Sequence, residues 1–390
     1  MSDRPAVFML LDNPFRSDQR VEREAKALHQ HGWEVHILAT SEPHLPHRVD
    51  TGTWTVERSI PGSIDSPLSR RYFADRARFA SKLIADGVRR IHAHDHRCLD
   101  LAVAAKEQDP SITIIYDAHE YLAGWPLYKE SKARSNRIKG WVVWRWSVRR
   151  ERRNLSHCEA IITVSRSLCE EMHQRFQLKA MPVLLRNVPE MPTSIASSDL
   201  RRKLGIPPQA RLVVHSGNIY HSDARIAMLL RSCMALEGTY LLLICNALNR
   251  NKVQDVMDRT HIHTNGHVLF MDYPARNEEL MAMLQACDAG IVHTWQPDWP
   301  SHWYSLPNRI MEYTLCGLPI LATAQPEFVA FQQEYGNCVL YAGDREQEMT
   351  AALRELLLQG PELAEKARQA KERLSWDQEV RSLLDLYTER

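Results

Sequence analysis

Residues 305–323 read SLPNRIMEYTLCGLPILAT. Pro307 suits a helix N-terminus, where its missing N–H is one the first turn leaves unbonded anyway; Gly317 suits the helix stop, and Pro319 leads into the apolar run ILAT. The spacing predicts one short helix over 307–315 and then a buried strand, with Asn308 and Glu312 one turn apart on the same face. Working outward, strand-length apolar runs alternate with amphipathic segments. Upstream come RLVVHSG (211–217), TYLLLICN (239–246), HVLFMDY (267–273) and AGIVHT (289–294), and further back AVFMLL (6–11), EVHILAT (34–40), RIHAH (90–94), ITIIYDAHE (112–120) and AIITVS (160–165). Parallel strands need helical crossovers and are covered on both faces, so this rhythm of continuous apolar strands predicts an α/β protein with doubly wound sheets.

The rhythm breaks once. PVLLRNVPEMPTSIASSD (182–199) is rich in proline and serine, which removes helix donors and favours an exposed connection, so a boundary is expected near Pro189. With 390 residues, two domains are expected, 1–189 and 190–374. The segment SWDQEVRSLLDLY, within 375–390, has helical apolar spacing and is expected to pack away from its own domain, back onto the first.

Composition excludes several classes. At 44% hydrophobic and 25% charged residues neither disorder nor a fibrous repeat is favoured. The formal net charge of +1 leaves any attraction for anions to local clusters. Eight cysteines, without CxxC pairs, read as reduced and mostly buried thiols. The N-terminal apolar run is too short for a membrane span and lacks a signal's layout, which points to the cytoplasm. GxGxxG and GxxxxGK[ST] are both absent, so nicotinamide and P-loop chemistry lose their usual support. In open α/β sheets ligands sit beyond the carboxyl ends of strands, and four such clusters carry polar chemistry.

The first is the opening stretch. A helix N-terminus offers free amides and a positive dipole end to a phosphate, and a carboxylate such as Glu312 accepts two hydroxyl hydrogen bonds from a ribose. Loop, short helix with a glutamate, Gly-x-Pro and strand together resemble the donor motif of the retaining GT-B glycosyltransferases, family 4 (group 1) type, and the resemblance runs nearly end to end. It implies two Rossmann-like domains facing a central cleft, with the acceptor in the first and a nucleotide-diphosphate sugar, uridine by default, in the second. Glu312 would bind the donor ribose, and Tyr304 stands where a second glutamate is usual. Ser305, Leu306, Asn308 and Arg309 complete the donor motif, in the variant pattern SxPNKxxEY with arginine for lysine, and Tyr273 follows a strand on the same side. The resemblance implies no cofactor and no metal.

The second cluster, HSGNIYHSDARIAMLL (215–230), resembles the start of the family's donor domain. Gly217 is its turn, Asn218 stands in place of the usual arginine, and Arg225 falls at the lysine position, where a guanidinium can offset charge on the leaving diphosphate; His221 is a weaker assistant. In the third, IIYDAHEY, the resemblance makes His119 a contact to the sugar or its reacting centre, with Glu120 beside it on the acceptor side. The fourth, RIHAHDHRC, holds His92, His94, Asp95 and His96. Its HxH spacing also opens metal hydrolases, whereas the resemblance makes His94 and Asp95 acceptor contacts. Near the N-terminus, DNPFRSDQRVEREAKAL replaces a glycine pair: Asp18 is a credible N-cap, and Ser17, Asp18 and Arg20 are acceptor-side candidates.

From Tyr128 to Arg153 the chain carries ten Lys or Arg and two Glu, with Trp141, Trp144 and Trp146 interleaved. Such a helix fits an anionic membrane surface at the inner face, as it also fits a solvated helix with its tryptophans packed inward; no nucleic-acid module is recognisable. The function these readings imply is transfer of a sugar to a hydroxyl of a sugar, glycolipid or small-molecule acceptor, in cell-surface polysaccharide or glycolipid synthesis. Rivals are a nucleotide-sugar epimerase, a metal hydrolase using His92 and His94, and a silent binding module.

Overall fold

A computed structural model describes residues 4–16, 18–60, 70–130, 133–192, 199–219, 222–294 and 296–388. Ser17 and His221 lie outside the described residues. The chain divides into two compact units, Met1–Asn187 with Trp299–Ser301 and Glu379–Arg390, and Val188–Asp298 with His302–Gln378.

In the first unit eight strands form one sheet: β1 (Ala6–Leu10), β2 (Glu34–Thr40), β3 (Arg48–Asp50), β4 (Trp54–Ile60), β5 (Arg90–His94), β6 (Thr113–Ala118), β7 (Ala160–Thr163) and β8 (Val183–Leu184). Their order is β3-β4-β2-β1-β5-β6-β7-β8. All pairings are parallel except β3 with β4. The central strands are the uninterrupted apolar runs, and Val7, Met9, Ile37, Ile91 and Ile114 are fully buried. The edge pair β3 and β4 is a departure from the expected rhythm. Its residues, RVD and WTVERSI, alternate apolar with polar and charged side chains, as an edge with one wet face requires.

The second unit is an all-parallel sheet of six strands: β9 (Arg211–Ser216), β10 (Thr239–Ile244), β11 (Val268–Met271), β12 (Ala289–Val292), β13 (Ile320–Thr323) and β14 (Cys338–Tyr341). The order is β11-β10-β9-β12-β13-β14. Leu212, Val214, Leu242, Ile244, Val292 and Ile320 fill one face with Ile310, Met311 and Phe328, while Val213, Leu241, Leu243 and Ile291 fill the other with Leu230, Val253 and Leu353. Both faces are therefore dry, as parallel strands demand.

Each sheet reverses its strand order once, between β1 and β5 in the first unit and between β9 and β12 in the second, and crevices at such switch points are where doubly wound sheets take ligands. The helix that follows β5 spans Asp95–Gln108. The chain turns from β5 into it through Asp95 at φ +63°. The final helix, Trp376–Thr388, carries its residues from Glu379 onward within the first unit. All eight cysteines are unpaired and six are buried.

Candidate functional site

In the second unit the helix Asn308–Leu315 starts one residue later than expected, with Pro307 as its N-cap residue, extended at ψ 142°, and Gly317 at φ +78° just beyond its end. Tyr313 locks it onto the switch point. Its hydroxyl accepts from the Ser216 amide at 2.8 Å and lies 3.1 Å from Ser216 Oγ. Its ring lies so close over β12 that a Cβ on Gly290 would come within 2.2 Å of it. Glycine is required there for close approach rather than for a special φ.

Thus anchored, the helix aims Arg309 back at the end of β9. Arg309 Nη1 lies 2.6 Å from His215 Nε2, and Nη2 donates to the Asn218 carbonyl at 3.0 Å. His215 is fully buried, and its Nδ1 lies 3.1 Å from the Ile291 carbonyl. A carbonyl can only accept, so Nδ1 carries the proton and Nε2 offers its lone pair to the guanidinium. Burial, followed by the charge of Arg309, holds this imidazole well below its usual pKa and therefore neutral. Sequence reasoning passed over His215 as strand; the signal available was a polar residue two before a turn glycine at a strand's carboxyl end. Gly217, at φ +85°, leaves only 3.3 Å between a Cβ and Arg309 Nη2, so the arginine lies directly over the turn.

Glu312, one turn from Asn308, is only 8% exposed. Burial pushes its carboxyl up to about 7, with Arg309 opposing. The exposed Tyr273 ring stands close enough that its hydroxyl pKa is raised, by burial first and then by the charge of Glu312. Asn308 and Asn218 are exposed, and Tyr304 and Ser305 are half-buried, with Ser305 Oγ donating to the His302 carbonyl at 3.0 Å. Leu306 is a correction in part: its side chain is buried in the core, so only its main chain is available to a ligand. Arg225 lies near the start of its helix, Asp223–Met234, and donates to the Gly343 carbonyl at 2.6 Å beside Tyr341 and Asp344.

In the first unit the sequence-predicted acceptor residues divide. Asp18 caps the helix Gln19–Gln30, its Oδ1 accepting from the Val21 amide at 3.2 Å. Arg20 and His94 do not reach a substrate surface, at 4% and 2% exposure. Both are corrected to members of a buried network. Arg20 binds both oxygens of Asp117 at 2.9–3.0 Å, donates to the Leu185 carbonyl and lies 2.9 Å from Glu24. Asp117 in turn lies 3.0 Å from Nε2 of His119, whose side chain is 21% exposed. Asp95 Oδ1 accepts the amides of His119 and Glu120, each at 3.1 Å, and Glu120 itself is exposed. His92 stacks on His94 and its Nδ1 meets the Tyr387 hydroxyl at 3.0 Å.

Glu24, His92, His94 and Asp117 bring one donor atom each to within 4.8 Å of one another, the spacing a metal would use. The chemistry does not suit one. The guanidinium of Arg20 already lies between the two carboxylates, and burial raises the Glu24 carboxyl to about 8 against the opposing charge of Arg20, which leaves it protonated rather than a carboxylate ligand at neutral pH. Among the described residues Glu24 and the Nε2 atoms of His92 and His94 lack hydrogen-bond partners there, but a divalent cation added beside Arg20 would meet like charge at short range.

The basic stretch forms the helix Arg134–Leu155, and residues 131–132 of that stretch lie outside the described ones. Ile138, Trp141 and Val142 are exposed, and Arg145 stacks over Trp141. Trp144 Nε1 donates to the Leu122 carbonyl, and Trp146 packs edge-on against Phe73. Beside it lies a cavity of about 420 Å³ lined by Phe73, Arg76, Trp146, Arg149, Arg150 and Arg153, among others. Among the described residues no helix is long and apolar enough to cross a membrane.

Two doubly wound sheets, parallel apart from the β3–β4 edge, with a glutamate-bearing helix and an arginine at the switch point of the second, have the architecture of the GT-B class. Residues 18–185 match the model of Glycosyltransferase Family 4 and residues 210–359 that of Glycosyl transferases group 1, so the chain belongs to the family 4/group 1 glycosyltransferases and is an enzyme of that kind. Solved structures share the fold at low identity. Sucrose-phosphate synthase from Thermosynechococcus elongatus aligns with a TM-score of 0.75 at 15% identity, over 98% of this chain and 98% of that one. WaaG, a glycosyltransferase involved in lipopolysaccharide biosynthesis, gives 0.69 at 16% over 98% and 100%, and Anabaena HepE in complex with UDP-glucose gives 0.68 at 13% over 99% and 100%. No curated protein matches by sequence.

Proposed function

We propose that this glycosyltransferase moves a hexosyl group from a UDP-sugar to an acceptor hydroxyl, with retention of anomeric configuration and without a metal ion, in cell-surface polysaccharide or glycolipid synthesis. The observation that carries the reading is the pairing of Glu312 with Arg309 on one short helix at the second unit's switch point. The carboxylate suits the two ribose hydroxyls, and Arg309, Arg225 and the amides at the helix start suit the diphosphate. Gly217, Asn218, Tyr273, Tyr304, Ser305, Asn308 and the main chain of Leu306 line the same donor side. As the bond from the anomeric carbon to the phosphate oxygen breaks, its electron pair leaves with the diphosphate; the arginines stabilise that charge, and the acceptor oxygen forms the new bond while its proton passes to the departing phosphate. HepE, which shares the fold, was solved with UDP and with UDP-glucose, which favours uridine. His119, Asp95, Glu120 and Asp18 serve the sugar side in the first unit.

The experiment is a thermal-shift screen of UDP, GDP, dTDP and ADP, since a ligand that binds only the folded state raises its melting temperature. It is followed by UDP-sugar turnover with and without EDTA and assignment of the product's anomeric configuration. UDP should give the largest shift and EDTA no loss. Equal, negligible shifts from all four nucleotides would end the donor assignment.

The exposed Ile138, Trp141 and Val142 on a helix with eight Arg or Lys and one Glu favour a peripheral station on an anionic cytoplasmic membrane face. Co-sedimentation with phosphatidylglycerol vesicles should be strong at low salt and fall severalfold in Trp141→Ala; equal pelleting with neutral phosphatidylcholine vesicles would contradict it.

A further inference from the structure

The ends of β5 and β6 hold more buried charge than contact with a substrate requires. Two of the group reach solvent, His119 at 21% and Asp95 at 32% side-chain exposure, while Asp117 and Glu24 behind them are fully buried. The proton positions follow from the distances. His119 Nε2 lies 3.0 Å from Asp117 Oδ2 and 3.1 Å from His94 Nδ1. A carboxylate only accepts, so Nε2 carries a hydrogen, and His94 Nδ1 must then present its lone pair to the same N–H. That leaves Nδ1 as the working nitrogen of His119. It faces Asp95 Oδ2 at 4.0 Å. The gap is too long for a direct hydrogen bond, yet a single hydroxyl oxygen fits between the two at about 2.8 Å from each.

Both sides of the gap are fixed. Asp95 is held by the amides of His119 and Glu120 on its other oxygen, and its backbone sits at φ +63°. A non-glycine residue keeps that conformation against a steric penalty, and such strain gathers where a side chain must be aimed. His119 is held by Asp117, and Asp117 by two-pronged contact with Arg20.

We propose that Asp117, fixed by Arg20, is a positioning residue that pins Nε2–H of His119 inward, so that Nδ1–H and Asp95 Oδ2 together grip one sugar hydroxyl, the ring donating and the carboxylate accepting. This rests on the reading above that His119 and Asp95 serve the sugar side. The groups facing His119 are Asp117 on β6, His92 and His94 on β5, Asp95 at the start of the next helix, Arg20 and Glu24 on the helix Gln19–Gln30, and the neighbouring Glu120. Burial works against a charged His119, but Asp117 and Asp95 outweigh it and push its pKa up to about 9. The donor at Nδ1 therefore persists through neutral pH and is lost as pH rises through about 9.

The test is a ¹⁵N-histidine NMR titration of the full chain, with the His119 signals identified by their loss in His119→Asn, alongside the pH profile of UDP-glucose turnover. In the wild type the His119 midpoint should lie near 9. Asp117→Asn should lower it by about two pH units, the effect of removing an opposite charge at contact distance. The alkaline limb of kcat/KM should move down by the same amount, a displacement of the pH profile that mere loss of structure would not give. If Asp117→Asn does not fold, Asp95→Asn keeps the Nε2 partner and should lower the midpoint by less. A wild-type midpoint near 6.5, or a midpoint unmoved by Asp117→Asn, overturns the proposal. Absence of UDP-glucose turnover in the wild type would count against the transferase donor instead, and the NMR midpoints would still decide the role of Asp117.

Discussion

Replacing Glu312 with glutamine should make the protein more stable and a poorer binder of nucleotide at once. The carboxyl is raised from 4.5 to about 7 because it is buried, Arg309 offsetting only part of the penalty. That rise corresponds to about 3 kcal/mol of folding free energy. The sign follows from the folded pKa lying above the unfolded one: the favourable contribution is complete below about 4.5 and is lost as pH rises through about 7. At pH 8 the native protein therefore holds an ionised carboxylate against its own stability, and glutamine removes that charge. Binding runs the other way. A ribose needs the ionised acceptor, so with a pKa near 7 about one molecule in eleven is competent at pH 6 and about ten in eleven at pH 8, a roughly tenfold gain in affinity. Losing hydrogen bonds to a charged group, at about 1.5–3 kcal/mol, should weaken UDP roughly ten- to a hundredfold in Glu312→Gln at pH 8. Calorimetric titration with UDP from pH 6 to 8.5 reads the affinity, and because the ratio of wild type to variant is taken at each pH, the nucleotide's own phosphate titration cancels. Thermal melting over the same range reads stability. A ratio independent of pH, or a variant that binds UDP as tightly as the wild type, would refute the reasoning.

Gly290→Ala should lower stability by about 2–4 kcal/mol in denaturant melts, because its Cβ would lie 2.2 Å from the Tyr313 ring and the helix must shift; UDP affinity should fall with it. Arg309→Lys keeps the charge but cannot hold His215 and the Asn218 carbonyl together, so calorimetry should show UDP weakened at least about tenfold while uridine, lacking phosphates, changes little. Arg20→Met should destabilise by about 3–5 kcal/mol in chemical denaturation, since the buried Asp117 loses its two-pronged partner and is left with His119.

The central strands were legible because a strand covered on both faces must be apolar throughout, and β1, β2, β5 and β6 read that way. The edge pair β3 and β4 was not, since its polar alternation resembles loop. At the second switch point the helix with Glu312 could be read from Pro307 and Gly317 alone, because capping is local chemistry. The burial of Arg20 could not. An arginine in a first helical turn looks solvated, and its carboxylate partner stands 97 positions away. His215 was missed for a related reason: its role depends on a neutral tautomer, and that tautomer is set by the Ile291 carbonyl 76 positions on. Long-range partners decide which polar residue faces a ligand and which is structural, and spacing carries no record of them.

Tyr387 touches His92 across 295 positions of chain and packs edge-on against Trp33. During synthesis the first sheet is therefore on hand long before its last cover. The ribosome must translate all of the second unit before Glu379–Arg390 emerges to close the first. A prematurely terminated chain would carry a finished second sheet and a first one with His92 and Trp33 laid open, a ready signal for the quality-control proteases that discard incomplete products.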